Sequence, residues 1–422
     1  MRVQVRKLRD TMGLLQPLVP KKPTYAILAN ILLKDGKAMA KSMETTVMID
    51  LPEASEAMVL PVSLIDFLSY VPGDSIAEIC RDGNGNNVVT CGGSKRNFPY
   101  IDPKEFPAMP ETPTLDLHAD GDGLLEALTM ARVYASKDDD RPVLTGVTLS
   151  LGPEKSYVAA GDGYQMFHKE IPCTGEPLIL VIRESAIHLL RDLWKKTARA
   201  DTPVADALLA EIAIARRIVQ MGVVERDDTK MLFARFGNVT FATRLIGGSP
   251  PDWLSLVPTG HKTILKLFAQ DLYRTILQVA NVAAEAGGAV RLAWADNVLA
   301  VSAITDEQTV EARTIVSIEG ENGHIAFNCA YLLNYLKTVQ GMVDVRIIAQ
   351  DSPATFLDGK CTVVIMPMFI KWENDPADET EADDIQDTTS ADDTKDPVTE
   401  KEPPVAAAAA KPARKSRKKV KV

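Results

Sequence analysis

The chain has no apolar run approaching the about 20 residues that a membrane-spanning helix needs; Val363–Met368 is among its longest. Its start, Met1-Arg2-Val3-Gln4-Val5, alternates like a strand and carries no apolar export core. A cytoplasmic location is therefore expected, with no membrane partner. Cysteine is sparse: Cys80, Cys91, Cys173, Cys329 and Cys361 lie far apart with no Cys-x-x-Cys spacing. That excludes a zinc ribbon or a disulfide framework and predicts five buried thiols in a reducing compartment. No Gly-x-x-x-x-Gly-Lys-Ser/Thr occurs, so ATP hydrolysis has no phosphate loop. The five histidines (118, 168, 188, 261 and 324) form no His-x-x-x-His pair, and neither metal nor cofactor is expected.

What the chain does have is a threefold internal repeat. An apolar strand, a turn, a second strand and a long crossover recur from Ile31 to Ile49, Val147 to Ile171 and Val290 to Ile315. Each copy leads into a strand-then-helix phrase: Val59–Pro61 into Ser63–Tyr70, Ile179–Ile182 into Glu184–Trp194, and Ile325–Phe327 into Ala330–Val339. Lys7–Val19, Gly123–Tyr134 and Phe268–Ala283 add helices with apolar residues at three-to-four spacing. A period far longer than a solenoid repeat implies similar globular domains in a row. The expected class is α+β: three similar domains, each with helices packed on antiparallel sheets.

Boundaries follow from proline punctuation, which a helix cannot cross. Phe98-Pro99-Tyr100 through Met109-Pro110 closes a first domain, 1–113; Pro250-Pro251-Asp252-Trp253 through Val257-Pro258 closes a second, 114–258; the third is 259–370. The second holds an insertion near 200–216, where Thr202 and Pro203 predict the start of an extra helix over Thr202–Ile214. From Lys371 to Val422 the chain is acidic, then Pro- and Ala-rich, then basic, with seven cations between Lys411 and Lys421. That composition predicts a disordered tail.

The net charge of −10 argues at first against a nucleic-acid binder. Its distribution argues otherwise: Arg6, Lys7 and Arg9, Lys21 and Lys22, and Arg183, Arg191, Lys195, Lys196 and Arg199 gather on or beside helical segments. They compose either a basic face on an acidic body or ordinary solvated helix faces. Asp138-Asp139-Asp140 reads as an exposed turn at a helix end rather than a cation site, and Asp82–Asn86 as a hairpin turn. Ala160–Met166 is a tight turn in which glycines permit positive φ and Asp162 supplies a local hydrogen bond. With the apolar final strand Val363–Ile370, it has the makings of a peptide groove between adjacent domains.

Thr24–Leu33, Phe106-Pro107, the Asp162-Gly163 turn, Pro251-Asp252 and the terminal Val-Ile-Met-Pro-Met, in this order and spacing, resemble the bacterial DNA sliding clamp, the beta subunit of DNA polymerase III. The resemblance spans residues 1–370. It implies a head-to-tail homodimer in which six domains close a ring, helices inside and sheet outside, that slides on duplex DNA without reading sequence. Phosphates would be held loosely by Lys and Arg of the inner face. Lys22 takes the place of a DNA-contacting arginine of the family, with Arg6 and Lys196 as inner-face candidates from their helical positions. The acidic loop Asp138–Val143 and the base-free segment Ser63–Tyr70 depart from that pattern.

The resemblance also implies a groove that docks a short motif of the replicative polymerase, the clamp loader and other clamp-binding proteins. By position it comprises Leu144, Gly161, Gly163, Tyr164, Gln165, Met166, Pro251, Ser255, Leu256, Pro353, Thr355, Val364, Ile365, Met366, Pro367, Met368 and Ile370. Its apolar floor is retained. Tyr164 and Gln165 replace a His-Arg pair of the family, and Ser255 and Phe369 replace arginines. Loss of those donors implies partners with a more apolar motif, since rim hydrogen bonds set selectivity. For the dimer, the resemblance implies contact between the region of Phe106 in one subunit and Asn281 and Val282 in the other.

Two other classes compete with a processivity clamp. One is a regulatory or structural protein on the clamp scaffold that no longer circles DNA. The other is a hydrolase using Asp162 and His168, which lacks a nucleophile and an orienting third group.

Overall fold

The computed structural model describes residues 1–20, 25–83, 85–173, 176–198, 218–226 and 229–370. The predicted helix at Thr202–Ile214, Lys22 and the tail from Lys371 lie outside the described residues. Residues Met1–Ile370 form one compact unit. No described helix is long and apolar enough to cross a membrane.

The order strand, helix, four strands, helix, three strands occurs three times, with one extra short strand, Ser317–Glu319, in the last copy. The helices are α1 (Val5–Leu15), α2 (Leu64–Ser69), α3 (Gly121–Ala131), α4 (Glu184–Ala198), α5 (Ala269–Glu285) and α6 (Cys329–Leu336). Their starts follow local chemistry. Asp120 caps α3 by accepting from Gly123 N at 2.7 Å, and Asn328 caps α6 by accepting from Ala330 N at 2.9 Å. Helix α5 ends where Gly287 and Gly288 take φ of 72° and 87°, and Gly288 N closes the last turn onto Ala283 O at 2.7 Å. The first hairpins of the first and third copies turn on Asp35-Gly36 and Asp296-Asn297, all four at positive φ, as a two-residue turn matched to strand twist requires.

The strands form four antiparallel sheets among the described residues, and two of these run across the repeat boundaries. Thr45–Asp50 of the first copy pairs with Val239–Arg244 of the second, making an eight-stranded sheet. Gln165–Ile171 of the second pairs with Thr362–Ile365 of the third, making a nine-stranded sheet. Backbone ladders thus weld neighbouring copies together; at the first seam a buried hydroxyl pair, Thr45 Oγ1 and Thr243 Oγ1, adds a 3.1 Å bond. Two four-stranded sheets, one in the first copy and one in the third, have Ser94–Phe98 and Thr309–Ile315 as edge strands, with Arg2–Gln4 and Gly323–Asn328 at their other edges. Alternation along each strand sends one set of side chains to the helices and the other outward. The helix-side set joins the helices in one large core: Val158, Ala160, Phe167, Val363 and Ile365 are all in it.

Two expectations are corrected here. Cys80 is exposed, because it lies near the end of a strand whose side chains from Glu78 alternate outward; the other four cysteines are buried. Phe106 is buried in a small cluster with Leu32, Met39, Met48 and Val59, and Val282 belongs to the core under α5. Both are largely covered by their own chain, with 5% and 8% of their surface left exposed; Asn281 is exposed.

Candidate peptide groove and nucleic-acid face

The second seam builds the candidate groove. Register fixes which residues share its outer face: Gly161 lies opposite Met166, Met166 opposite Val364, and Val364 opposite Thr355. Above this row Ala159, Met166, Val364 and Trp253 form a separate apolar cluster, joined by Leu144, Tyr157 and Val257. Trp253 is 3% exposed, and its indole N–H donates to Thr148 Oγ1 at 3.0 Å. Around this floor stand exposed apolar side chains: Tyr164, Leu254, Leu256, Met366 and Phe369. The final segment bridges the two copies, with Met366 N donating to Tyr164 O and Met368 N to Ala326 O, both at 2.8 Å.

The Asp162-Gly163 turn holds one wall. Asp162 Oδ1 accepts from Tyr164 N and Gln165 N at 2.9 Å, and Gly163 has φ of 100°. Tyr331 of α6 also reaches Asp162; burial first, and that carboxylate second, push its phenol pKa up.

Of the seventeen residues expected in the groove, Gln165 and Ile365 do not belong there. They pair with each other on the face opposite Met166 and Val364, because adjacent strand residues point to opposite sides. Ile365 is core, and the Gln165 amide donates inward to Asp162 Oδ2 at 3.1 Å. Gly161 forms floor beneath Trp253, whose ring leaves no room for a side chain there. Pro251, Ser255, Leu256 and Met366 are exposed at the rim; Leu144, Pro353 and Met368 are half-buried, and Pro367 is buried. Trp253 was missed, although a bulky aromatic two residues after a proline pair signalled a fixed position. Asp162 and His168 are not brought together: Asp162 is committed to its turn, while His168 lies along the strand opposite Ala159 and packs against Tyr157 with ring centroids 4.9 Å apart and the rings tilted by 42°.

On the helix faces, Arg6 is exposed and pairs with Asp74 at 3.4 Å, Lys7 pairs with Glu53 at 2.7 Å, and Arg191 with Asp192 at 3.0 Å. Lys195 and Lys196 are exposed in the last turn of α4 and make no ion pair with a described residue. Asp138 binds Arg141 Nε at 2.9 Å and accepts from Asp140 N, which holds its carboxyl below the usual range and makes this a self-satisfied turn. No cluster of three metal-ligating side chains occurs among the described residues.

Three repeats welded by two shared sheets, with a groove at the second weld, define a clamp-type fold. The profile of the DNA polymerase III beta subunit, C-terminal domain, matches residues 254–369. The beta sliding clamp of Streptomyces coelicolor is 26% identical over 356 residues, covering 82% of this chain and 90% of that protein. That of Synechococcus elongatus is 24% identical over 387 residues, covering 86% and 98%. Among solved structures, the beta subunit from the DNA polymerase of Streptococcus pyogenes superposes with a TM-score of 0.75 at 19% identity, covering 87% of this chain and 99% of that one. The chain is a diverged member of the bacterial beta sliding clamp family, with an added C-terminal tail.

Proposed function

We propose that this chain is a DNA polymerase processivity factor: a ring that encircles duplex DNA, slides on it, and tethers polymerase through the groove at the second seam. Triplication carries the reading, because Ser94–Phe98 and Thr309–Ile315 are edge strands of sheets in the first and third copies, where each can pair with its counterpart in a second subunit and close a ring. The natural junction sets Ser94–Phe98 of one subunit against Thr309–Ile315 of the other, near Asn281. The three domains are taken as 1–113, 114–258 and 259–370.

Retention on DNA is then topological, and helix-borne cations need only touch phosphates weakly. Arg6 and Lys196, with Lys22, are the assigned contacts. Ion pairing of Arg6, Lys7 and Arg191 supports a weakly attractive inner face. The seven cations between Lys411 and Lys421 supply a further non-specific attraction for DNA. The molecule is a binding protein without catalysis, opened by a clamp loader, and its groove accepts an apolar segment of polymerase, loader and other partners.

The test is primer extension on a primed single-stranded circle by the cell's replicative polymerase with its loader. Product length should rise when the chain is added and fall back when residues 366–422 are removed. Unchanged length with the full chain contradicts the reading.

A further inference from the structure

Next to the apolar floor, on the same outer face, the nine-stranded sheet carries a second cleft of about 560 Å³ that includes His168, Asp344, Arg346, Asp358, Lys360 and Thr362 in its lining. Register shows how it joins the groove. One cross-strand row runs Met166, Val364, Thr355, Arg346; the next runs His168, Thr362, Leu357, Asp344. The first row therefore begins in the groove and ends in the cleft. Three strand spacings of about 4.8 Å separate Met166 from Arg346, about 14 Å in all, which an extended peptide covers in about four residues.

Two side-chain nitrogens of this cleft have no partner. The His168 side chain is 8% exposed, and its Nε2 has no partner. The Arg346 side chain makes no hydrogen bond or ion pair with a described residue, and its Nε is buried without a partner. Buried donors of this kind are normally paired with protein, water or ligand, so these two are open to a partner polar group. The neighbouring acids are mostly engaged. Glu170 binds Lys155 at 3.2 Å, and Asp358 accepts from Lys360 N and Cys361 N at 2.8 Å. Lys169 is held by Glu126 at 2.8 Å. Asp358 keeps its negative charge, since its partners are neutral amides, so the cleft sets Arg346 and the exposed Lys360 against Asp358 and Asp344, the latter opposite Lys266. With no surplus of positive charge, the bare guanidinium of Arg346 suits a single negative charge and no more. A dianionic phosphate would meet both Asp344 and Asp358, whereas a carboxylate matches the planar guanidinium and needs only one compensating charge.

We propose that the cleft is a carboxylate subsite, which takes an acidic side chain of the docked partner polypeptide about four residues from the apolar residue seated over Met166. The inference rests on the peptide-docking reading of the groove and adds to it a chemical requirement on the partner: an apolar anchor with a flanking Asp or Glu.

Two pairs of fluorescein-labelled synthetic peptides test it by anisotropy with the full chain. All carry a Leu-Leu-Phe anchor; one pair has Glu or Gln four residues before it, the other four residues after it. In one pair the Glu form should bind about tenfold more tightly than the Gln form, as a charge-assisted bond implies. Arg346→Gln should erase that difference and leave the affinity of the Gln form unchanged. Lys360→Gln, on an exposed turn where folding is not at stake, should reduce the difference in part. Binding of all four peptides with no Glu preference would overturn the subsite and leave the groove standing. Binding by none of them would overturn the groove and the subsite together.

Discussion

Trp253 packs so closely on Gly161 that a methyl group added at Gly161 would sit 2.8 Å from the indole ring, and 2.8 Å from Gln165 O. The floor of the groove is thus set by a glycine under a tryptophan. Gly161→Ala should displace the indole, break its bond to Thr148, and cost about 1–3 kcal/mol of stability, as overpacking does. Thermal unfolding and tryptophan fluorescence check this; partner-peptide affinity should fall with them. An unshifted melting temperature would show that the ring is not held where described.

The dimer contact separates into two measurements. Val282→Glu places an unpaired charge in the core under α5 and should cost several kcal/mol, so it should read as lowered thermal stability. Asn281→Glu alters an exposed residue and should leave unfolding unchanged while weakening the dimer. Sedimentation of the wild type should give a dimer at micromolar concentration; a monomer throughout that range contradicts ring closure.

Thiol chemistry should distinguish Cys80 from the rest. Burial pushes the Cys91, Cys173 and Cys329 thiols up, and burial together with Asp358 pushes Cys361 to about 12. Since the thiolate is the reactive form, disulfide-exchange titration of the native protein near pH 8 should count one fast thiol, and five after denaturation. Two or more fast thiols in the native state would contradict this burial pattern.

Burial first lowers the pKa of His168 from its ordinary value near 6.5. The unfolded chain then binds a proton that the folded chain refuses, so this residue's contribution to stability is intact above pH 6.5. It declines as pH falls from there toward the folded pKa. His168→Gln should make chemical-denaturation stability less sensitive to pH just below 6.5. An unchanged slope would mean that the imidazole is charged as easily in the fold as in water.

Much of this architecture was legible in the sequence because it depends on local pattern. The three helices with three-to-four spacing and the paired apolar strands occur where expected, and Asp162-Gly163 turns as its residue types require. What could not be read was set by register and by packing at a distance. Whether Gln165 or Met166 faces the groove depends on which residue of the last strand it pairs with, nearly two hundred positions away. A one-residue difference reverses the face. Phe106 and Val282 looked available as apolar residues near the expected junction, but only the folded chain shows them already covered. The empty donors of His168 and Arg346 were likewise invisible, since the strands that bring them together are far apart in the chain.

Topological retention separates a ring from every other kind of DNA binder. After loading on a nicked circular plasmid with the clamp loader, the chain should stay with the DNA through gel filtration at high salt, and cutting the plasmid once should release it. Equal retention on circular and linear DNA, or none on the circle, would contradict an encircling clamp.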